Sequence, residues 1–323
     1  MIAVSHAQAR RQTVRNPAPL LFWILAVLAF FLFPDQRGFA TTILTSTLFA
    51  LALDVVLGYA GIITLGHAVY FGVGAYSAAL LAQAGYHEPI TGVLISGAIS
   101  AAVALACAPF ITRFTGLPLV MMTIAVNAIV YEAANQATSI TGGDDGLTSF
   151  SFDPVFGLFK WDLSGQTQYM YASAWLLLCF ILVSCIVRSP FGLSLKGIRE
   201  NRQRMKLVGA PVLRQLTLAY TISGLIAGIA GAVSCQTTGF ASLGGLSPEA
   251  SISILVMLAI GGIGNLYGAF IGVPLFLIVR HTASTWNPYH WLFVMGVLLI
   301  VVRFSNGGLL GLLRFRSGDR YGD

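Results

Sequence analysis

Charged residues are scarce in this sequence. Aspartate, glutamate, lysine and arginine make up 9% of its 323 residues, whereas they make up about 25% of an average soluble domain. Between positions 39 and 111 the charged residues are Asp54 and Glu88, and between positions 215 and 279 the charged residue is Glu249. Segments this poor in charge cannot cover a protein surface in water, but they suit a chain embedded in lipid. A water-soluble globular fold is therefore excluded.

The sequence also lacks the common motifs of enzymes and metal sites. Its four cysteines lie in apolar segments without a C-x-x-C spacing, which indicates buried small side chains rather than metal ligands or disulfides. It contains no G-x-S-x-G, H-E-x-x-H or G-x-x-x-x-G-K-[ST] pattern, so a serine hydrolase, a zinc protease and a self-contained ATPase have no motif. We expect no enzyme activity and no cofactor in this chain.

The apolar residues fall into about ten segments, each close to the roughly 20 residues that a membrane-spanning helix needs. The first, at 20–33, is as short as a signal-peptide core, but no A-x-A cleavage pattern follows, so it is interpreted as a retained helix. An even number of spans places both termini on one side. The prediction is an all-α integral membrane protein, one polytopic domain over 1–323. The spans are expected near 18–34, 39–57, 63–83, 91–111, 118–138, 168–187, 214–236, 250–265, 267–285 and 289–304.

Lysine and arginine residues are clustered between the apolar segments. They occur at 10–15, 188–214 and 303–320, whereas the segment 139–167 carries four aspartates and one lysine. Positive residues concentrate in the cytoplasmic loops of membrane proteins. The pattern therefore predicts a cytoplasmic tail at 1–17, a cytoplasmic loop at 188–213, a cytoplasmic tail at 305–323 and an outward-facing 139–167 segment. This arrangement accounts for the net charge of +6 without a nucleic-acid partner.

Two glycine-rich segments, at 58–67 and 238–248, are candidates for interrupted or re-entrant structure. Irregular backbone at membrane depth is tolerated where it is buried in protein or lines a watery cavity, and paired interruptions in the two halves of a chain indicate a translocation path. The alternative is that both segments are ordinary aqueous turns. The candidate pathway residues are Gly58, Tyr59, Gly61, Thr64, Gly66, His67, Gly239, Gly244, Gly245 and Ser247.

Asp54 and Glu132 are the acidic residues inside predicted spans. Because an ionised carboxylate in lipid is costly, we expect each to lie in the bundle interior, in a polar cavity or at a helix end. Asp54 is placed near the cytoplasmic end of its span and Glu132 near the outer end. His67 is interpreted as a hydrogen-bonded structural residue rather than a proton carrier.

The loop at 188–213 predicts a short basic helix. Ile198, Met205 and Val208 fall at i, i+7 and i+10, Gly209 ends the helix, and Pro211 follows it. A helix of this kind can lie on lipid headgroups or dock into a groove on another protein. Composition leaves both possibilities open.

Several motifs in order resemble those of a known family. They are Leu65-Gly-His-Ala68, Thr141-Gly-Gly-Asp-Asp-Gly-Leu147, Ser189-Pro-Phe-Gly192 with Gly197-Ile-Arg-Glu-Asn201, and Gly261-Gly-Ile-Gly264. Together they resemble the LivM-type permease subunit of branched-chain amino acid ABC importers, over about residues 40 to 305. Close relatives in that family are similar to importers of urea or other small amides.

The resemblance implies a multi-pass protein of the bacterial inner membrane that works in a complex. Its expected partners are a second homologous permease or a second copy of itself, two cytoplasmic ATP-binding subunits and an extracytoplasmic solute-binding protein. In that scheme the apolar edge of the basic helix enters a groove on the ATPase, with Arg199 and Glu200 at the rim. The expected coupling-loop residues are Gly192, Ile198, Arg199, Glu200, Asn201, Met205, Val208 and Gly209.

The function predicted from these observations is a permease that forms half of an inward route for branched-chain amino acids, with ATP hydrolysed on partner chains. Urea or another small amide or amino acid is the alternative solute. An ion-coupled secondary transporter is the alternative mechanism. That mechanism calls for paired intramembrane charges, and the two carboxylates lie near opposite ends of their predicted spans.

Overall fold

A computed structural model describes residues 36–286, except 149, 156, 158, 160 and 163, together with Trp23 and Gly296. The predicted tails at 1–17 and 305–323 and the predicted spans at 18–34 and 289–304 lie outside the described residues. The described part is mostly helical and contains two isolated β-bridges but no named strand. The all-α prediction is therefore confirmed for this part of the chain.

Ten helices of six or more residues make up the described part. The first ends in a π-helical turn at Val55–Tyr59. In chain order the helices are α1 (Arg37–Asp54), α2 (Ala68–Gln83), α3 (Pro89–Ile111), α4 (Leu117–Gln136), α5 (Gln166–Arg188), α6 (Pro190–Glu200), α7 (Arg202–Leu207), α8 (Val212–Thr238), α9 (Pro248–Gly261) and α10 (Gly268–Trp286).

Five helices are long and apolar enough to cross a membrane. They are α1 with its π turn, α3, α4, α5 and α8, whereas α2, α9 and α10 are shorter apolar helices. The predicted spans 63–83 and 250–265 differ from the structure because α2 begins at Ala68 and α9 ends at Gly261. Each is too short for a full crossing at 1.5 Å per residue.

Polar side chains inside the spans bond back to their own helix. The Thr41 hydroxyl donates to the Arg37 carbonyl at 2.9 Å, and the Thr47 hydroxyl donates to the Ile43 carbonyl at 2.7 Å. In lipid no water is available to satisfy such groups, so an intrahelical partner lets threonine occur in an apolar span.

Helix α8 lies at the centre of the bundle and packs closely on α2 and α3. Cβ atoms added at Gly228 and Gly231 would collide with Ser100 of α3 and with the Phe71 carbonyl of α2, and one at Gly74 would collide with the Gly228 carbonyl. The small residues that the sequence spaces four apart on α8 therefore lie at helix contacts. Close backbone approach of this kind is the usual packing device between helices in lipid.

The two ends of the bundle differ in charge. The end that we call the basic end carries Arg113 and the loop 188–214, where Arg202 Nη1 donates to the Phe114 carbonyl at 3.3 Å. The other end, the acidic end, carries Glu88 and the segment 139–165. Helix α5 joins the two, and its 23 residues span about 34 Å. The loops predicted to face opposite sides thus lie at opposite ends of the bundle.

Candidate functional site

The chain leaves its helical path between α1 and α2, in residues 60–67, which we call the first break. The π turn closes with Ala60 N donating to the Val55 carbonyl at 3.3 Å, and Ile62 N donates to the Val56 carbonyl at 3.0 Å. Gly61 then adopts a φ of +70°, a left-handed conformation that glycine adopts without strain. From there to His67 the backbone is irregular, because α2 starts only at Ala68.

The inner part of the first break is buried inside the bundle, whereas Gly61 and Ile63 are exposed. Thr64 and His67 are fully buried, and His67 contacts Ser223, which lies 11 residues into α8, counted from Val212. Eleven residues of helix correspond to about 16 Å. The break is therefore non-helical backbone at membrane depth, not a turn in water.

Side chains from α4 and α8 satisfy polar groups of the first break. The Ser223 hydroxyl donates to the Ala52 carbonyl at 2.5 Å, so His67 Nε2 is the donor in its 2.8 Å bond to the Ser223 oxygen. The Thr123 hydroxyl accepts from Leu65 N at 3.2 Å. These bonds fix the irregular backbone, as buried polar groups require.

His67 is enclosed by aromatic rings. The centroids of Phe49, Tyr70 and Tyr220 lie 6.1, 5.4 and 6.0 Å from the imidazole. Its Nδ1 atom has no hydrogen-bond partner among the described residues, which fits a neutral ring with its proton on Nε2. His67 is thus buried and hydrogen-bonded, an environment that suits the predicted structural role.

A second break, residues 239–247, enters the bundle from the acidic end. It begins at Gly239 with a φ of +67°, and a 3-10 turn at Leu243–Leu246 follows. Leu246 is buried and packs on Gly72 of α2, where a Cβ would collide with the leucine side chain. Ser247 then caps α9 by accepting from Ala250 N at 3.2 Å.

The two short helices begin beside one another. Ser251, in the first turn of α9, accepts from Ala68 N of α2 at 2.9 Å and from Asn127 Nδ2 of α4 at 3.4 Å. The N-termini of α2 and α9 therefore meet against α4 in the bundle interior. Asn127, Thr123 and Ser223 were not among the predicted site residues, although an asparagine and a threonine four residues apart within one apolar span were a usable signal.

The predicted pathway residues divide into buried and exposed sets. Inside the bundle lie Gly58, Tyr59, Thr64, Gly66 and His67, and a Cβ at Gly66 would collide with the Thr123 carbonyl. At the surface Gly61 faces the basic end, and the members from the second break are exposed or half-buried: Gly239, Gly244, Gly245 and Ser247. The structure thus brings the two predicted segments to one region, with the first packed more tightly than the second.

A polar junction lies where the first break meets the basic end. Arg199 Nη1 of α6 donates to the Gly58 carbonyl, and Asp54 Oδ1 accepts from Gly264 N at 2.8 Å. A cavity of about 310 Å³ opens beside the junction. It is lined by Ala60, Gly61, Ile63, Thr115, Gly116, Leu119, Ile198, Arg199 and Arg202.

The loop at 188–213 forms two helices, not the single predicted one. Ser189 caps α6 by accepting from Gly192 N at 3.4 Å, and Asn201 ends α6 in an extended conformation and caps α7 by accepting from Arg204 N at 2.9 Å. Glu200 is exposed at the end of α6. Gly209, with a φ of +87°, follows α7.

The predicted apolar edge of Ile198, Met205 and Val208 is wrong. Ile198 is 0% exposed and Met205 is half-buried, whereas Val208 is 83% and Leu207 is 88% exposed. The break at Asn201 turns α7 away from the line of α6, so positions spaced as on one helix do not share a face. The most exposed large apolar side chains of this loop are Leu207 and Val208, ahead of Leu193 and Leu213.

The chain matches proteins of one transport family. A family described as the branched-chain amino acid transport system permease component matches residues 37–303. The high-affinity branched-chain amino acid transport system permease protein LivM of Salmonella typhimurium is 26% identical over an alignment of 331 positions. The alignment covers 94% of this chain and 78% of that protein. LivM of Escherichia coli K12 is 26% identical, covering 85% of this chain and 70% of that protein.

More distant similarity extends to a sugar importer. The galactose/methyl galactoside import permease protein MglC of Salmonella typhimurium is 26% identical, covering 61% of this chain and 58% of that protein. No solved structure matches the chain. Because the family match includes both breaks and the loop at 188–213, the resemblance read from the motifs is confirmed, and the chain belongs to the branched-chain amino acid transport system permease family.

Proposed function

We propose that this chain forms half of an inward route for branched-chain amino acids in a bacterial inner membrane, driven by ATP hydrolysed on partner chains. The observation that carries the proposal is the family match over residues 37–303. The chain acts in this scheme as one polytopic domain, binds no cofactor of its own and is not itself an enzyme.

The direction of transport in the proposal follows from charge. Basic loops favour the cytoplasm, so the basic end with α6 and α7 is placed inside the cell. The acidic end, with Glu88 and the 139–165 segment, then faces outward. Both termini are assigned to the cytoplasm by the same rule.

The two breaks are proposed to form the part of the route that changes shape. A helix N-terminus carries a partial positive charge, and half-helices that begin at mid-membrane use such ends toward anionic groups of a substrate. The N-termini of α2 and α9 meet at Ser251, so the carboxylate of an amino acid passing this region would meet a favourable potential. The buried glycines Gly58 and Gly66 permit the close backbone packing from which such a route opens.

Partner surfaces are assigned from what the described residues leave exposed. Leu207 and Val208 on the basic end supply an apolar patch for an ATP-binding subunit. Helix α4 exposes Leu117, Met121 and Ile129, a face proposed for the second permease or a second copy of this chain. The acidic end is assigned to a solute-binding protein.

An ion-coupled mechanism would need two intramembrane carboxylates at one site, and the two that the predicted spans contain lie apart among the described residues. Asp54 Oδ1 accepts from Gly264 N near the basic end, whereas Glu132 is exposed and accepts from Gln136 Nε2 at 2.9 Å near the other end of α4. The two carboxylates lie on different helices at opposite ends of the bundle. They do not form the joint site that a coupling ion would need.

Reconstitution of the chain with its partner subunits in liposomes tests the proposal. Labelled leucine, urea and a monosaccharide are offered with ATP, without ATP, and after ionophores have collapsed all ion gradients. We expect leucine uptake that requires ATP and survives the ionophores. Uptake that needs an ion gradient and no ATP would refute the proposal.

A pair of glycine variants tests the route itself. Gly244→Leu places a bulky side chain in the second break, where the nearest atom to an added Cβ is Ser242 Oγ at 3.4 Å. Gly38→Leu is the control, because Gly38 is exposed and has nothing within 4 Å. The first variant should reduce uptake in complexes that assemble normally, and the second should not.

A further inference from the structure

We infer that Arg199 ties helix α6 to both the first break and the turn between α9 and α10, and is the positioning residue through which movement of α6 reaches the transmembrane route. The inference rests on the proposed function, since it assigns a task to one residue within that route. It is carried by the contacts of one side chain with three glycines.

The Arg199 side chain crosses the whole junction. Its Cγ would be 2.8 Å from a Cβ at Gly61, its Nη1 donates to the Gly58 carbonyl, and the same Nη1 would be 2.6 Å from a Cβ at Gly264. Gly58 and Gly61 belong to the π turn and the first break, and Gly264 belongs to the turn after α9. One side chain from the basic end therefore contacts both the first break and the turn between α9 and α10.

The glycines at the junction are required by this geometry. A Cβ at Gly58 would collide with Asp54 Oδ1 and come within 2.6 Å of Gly264 N. Gly61 and Gly264 have φ values of +70° and +81°, which other residues rarely adopt. Gly58 therefore allows close approach, and Gly61 and Gly264 supply left-handed backbone. Arg199 occupies the space beside Gly61 and Gly264, and Asp54 occupies the space beside Gly58.

Asp54 completes the junction from α1. Its Oδ1 accepts from Gly264 N at 2.8 Å, and its charge interacts with that of Arg199. Its Oδ2 is buried without a hydrogen-bond partner among the described residues. A buried carboxylate is costly unless a cation is near. Asp54 holds the α9–α10 turn, and the Arg199 charge offsets part of that cost. Helices α1, α6 and α9 meet at this one point.

Helix α6 does not need Arg199 in order to stay in place. Leu195 and Ile198 of the same helix are 1% and 0% exposed, and Ser194 Oγ donates to Gln215 Oε1 of α8 at 2.6 Å. Apolar burial supplies most of the attachment and has no direction. The arginine contacts are directional, because a guanidinium donates along fixed axes. Attachment and transmission are therefore separable by substitution.

The test measures solute taken up per ATP hydrolysed by the reconstituted complex of permease, ATP-binding subunits and solute-binding protein. Arg199→Gln removes the charge and the reach of the side chain, and Arg113→Gln is the control for loss of one positive charge at the same end. A hydrogen bond from a charged donor shifts an equilibrium by about ten- to a hundredfold. We expect Arg199→Gln to lower the uptake-to-hydrolysis ratio about tenfold or more, and Arg113→Gln to leave it at the wild-type value.

Two further variants keep the test decisive. Arg199→Lys retains the charge but cannot bridge two segments with a planar fork, so a partial loss of the ratio is expected. Asp54→Asn retains an oxygen acceptor for Gly264 N but removes the negative charge, so it should also lower the ratio. If the Arg199→Gln complex does not assemble, the ratio is measured on these two.

Each outcome bears on one claim. If uptake by the wild-type complex does not depend on ATP, the proposed function is refuted. Suppose instead that the wild-type complex couples uptake to ATP. A wild-type uptake-to-hydrolysis ratio in Arg199→Gln, or in both Arg199→Lys and Asp54→Asn, then overturns this inference alone. A purely structural role for Arg199 would lower the yield of assembled complex and leave the ratio unchanged.

Discussion

Replacing Leu207 and Val208 together with alanine should weaken binding of the ATP-binding subunit without destabilising the permease. The two side chains are 88% and 83% exposed. Burying a large aliphatic side chain contributes about 1.5 to 3 kcal/mol. Because both start almost fully exposed, loss of the pair should cost about 3 to 5 kcal/mol of binding free energy, or roughly a hundredfold or more in Kd.

The matched variant, Ile198→Ala, should destabilise the permease and leave its direct contacts with the ATP-binding subunit in place. Ile198 is 0% exposed and packs inside the permease, so its truncation leaves a cavity. Such a change costs about 2 to 5 kcal/mol of folding free energy. Exposed positions like Leu207 and Val208 usually change stability by no more than about 0.5 kcal/mol. Stability and binding should therefore respond to different variants.

Two measurements on the detergent-solubilised permease check this separation. Thermal unfolding reports stability, and titration with the purified ATP-binding subunit reports Kd. Wild-type binding by the Leu207→Ala, Val208→Ala double variant would refute the docking surface. The alternative is that α7 lies on lipid headgroups. In that case neutralising Arg204 and Lys206 should weaken binding of this loop to anionic liposomes by about 1 kcal/mol per charge.

Two more predictions follow from the fold. Cysteines introduced at Asp145 and Arg204, in a background without native cysteine, should react with an impermeant reagent from opposite sides of the membrane, and labelling of both from one side would contradict the proposed orientation. Gly231→Ala should lower the thermal stability, because the overlap with the Phe71 carbonyl costs about 1 to 3 kcal/mol against about 1 kcal/mol of helix propensity regained. Gly92→Ala, whose Cβ would be 3.4 Å from its nearest neighbour, should raise stability instead, and equal shifts in both would show that packing is not limiting.

Much of the helical layout was predictable from hydropathy. Helices α3, α5 and α8 lie within a few residues of the predicted spans 91–111, 168–187 and 214–236. This success has a physical basis, since an apolar segment in lipid must satisfy its backbone internally and a helix is the simple solution. Charge placement worked for the same reason, because charged loops are excluded from the hydrocarbon.

The half-length helices were not predictable in this way. Ile62, Ile63 and Leu65 are apolar residues in a non-helical segment, and hydropathy does not distinguish buried irregular backbone from helix. Glycine and threonine in the same stretch indicated an interruption. Where α2 would begin depended on partners such as Ser223 and Ser251, which lie far away in the sequence.

The coupling loop shows a second reason for error. Helical spacing placed Ile198 on one face with Val208 because the break at Asn201 was not recognised. Arg199 was expected at an exposed rim and is exposed, but its contact with the first break was not anticipated. Its bond to the Gly58 carbonyl joins residues 141 positions apart, and contacts of that kind arise from packing, not from local pattern.

The bonds that hold the first break and the helix ends on either side of it have a consequence for how the protein is made. Ser223 pairs with His67 across 156 positions, Ser251 with Ala68 across 183, and Gly264 with Asp54 across 210. When α1 and α2 leave the ribosome, the polar groups that these residues bury have none of those partners. The N-terminal third must therefore wait in the insertion machinery, or at the membrane surface, until the last third has been synthesised. Chains truncated before α8 should be recognised by membrane quality-control proteases, while a co-expressed C-terminal fragment that begins before α8 should protect them.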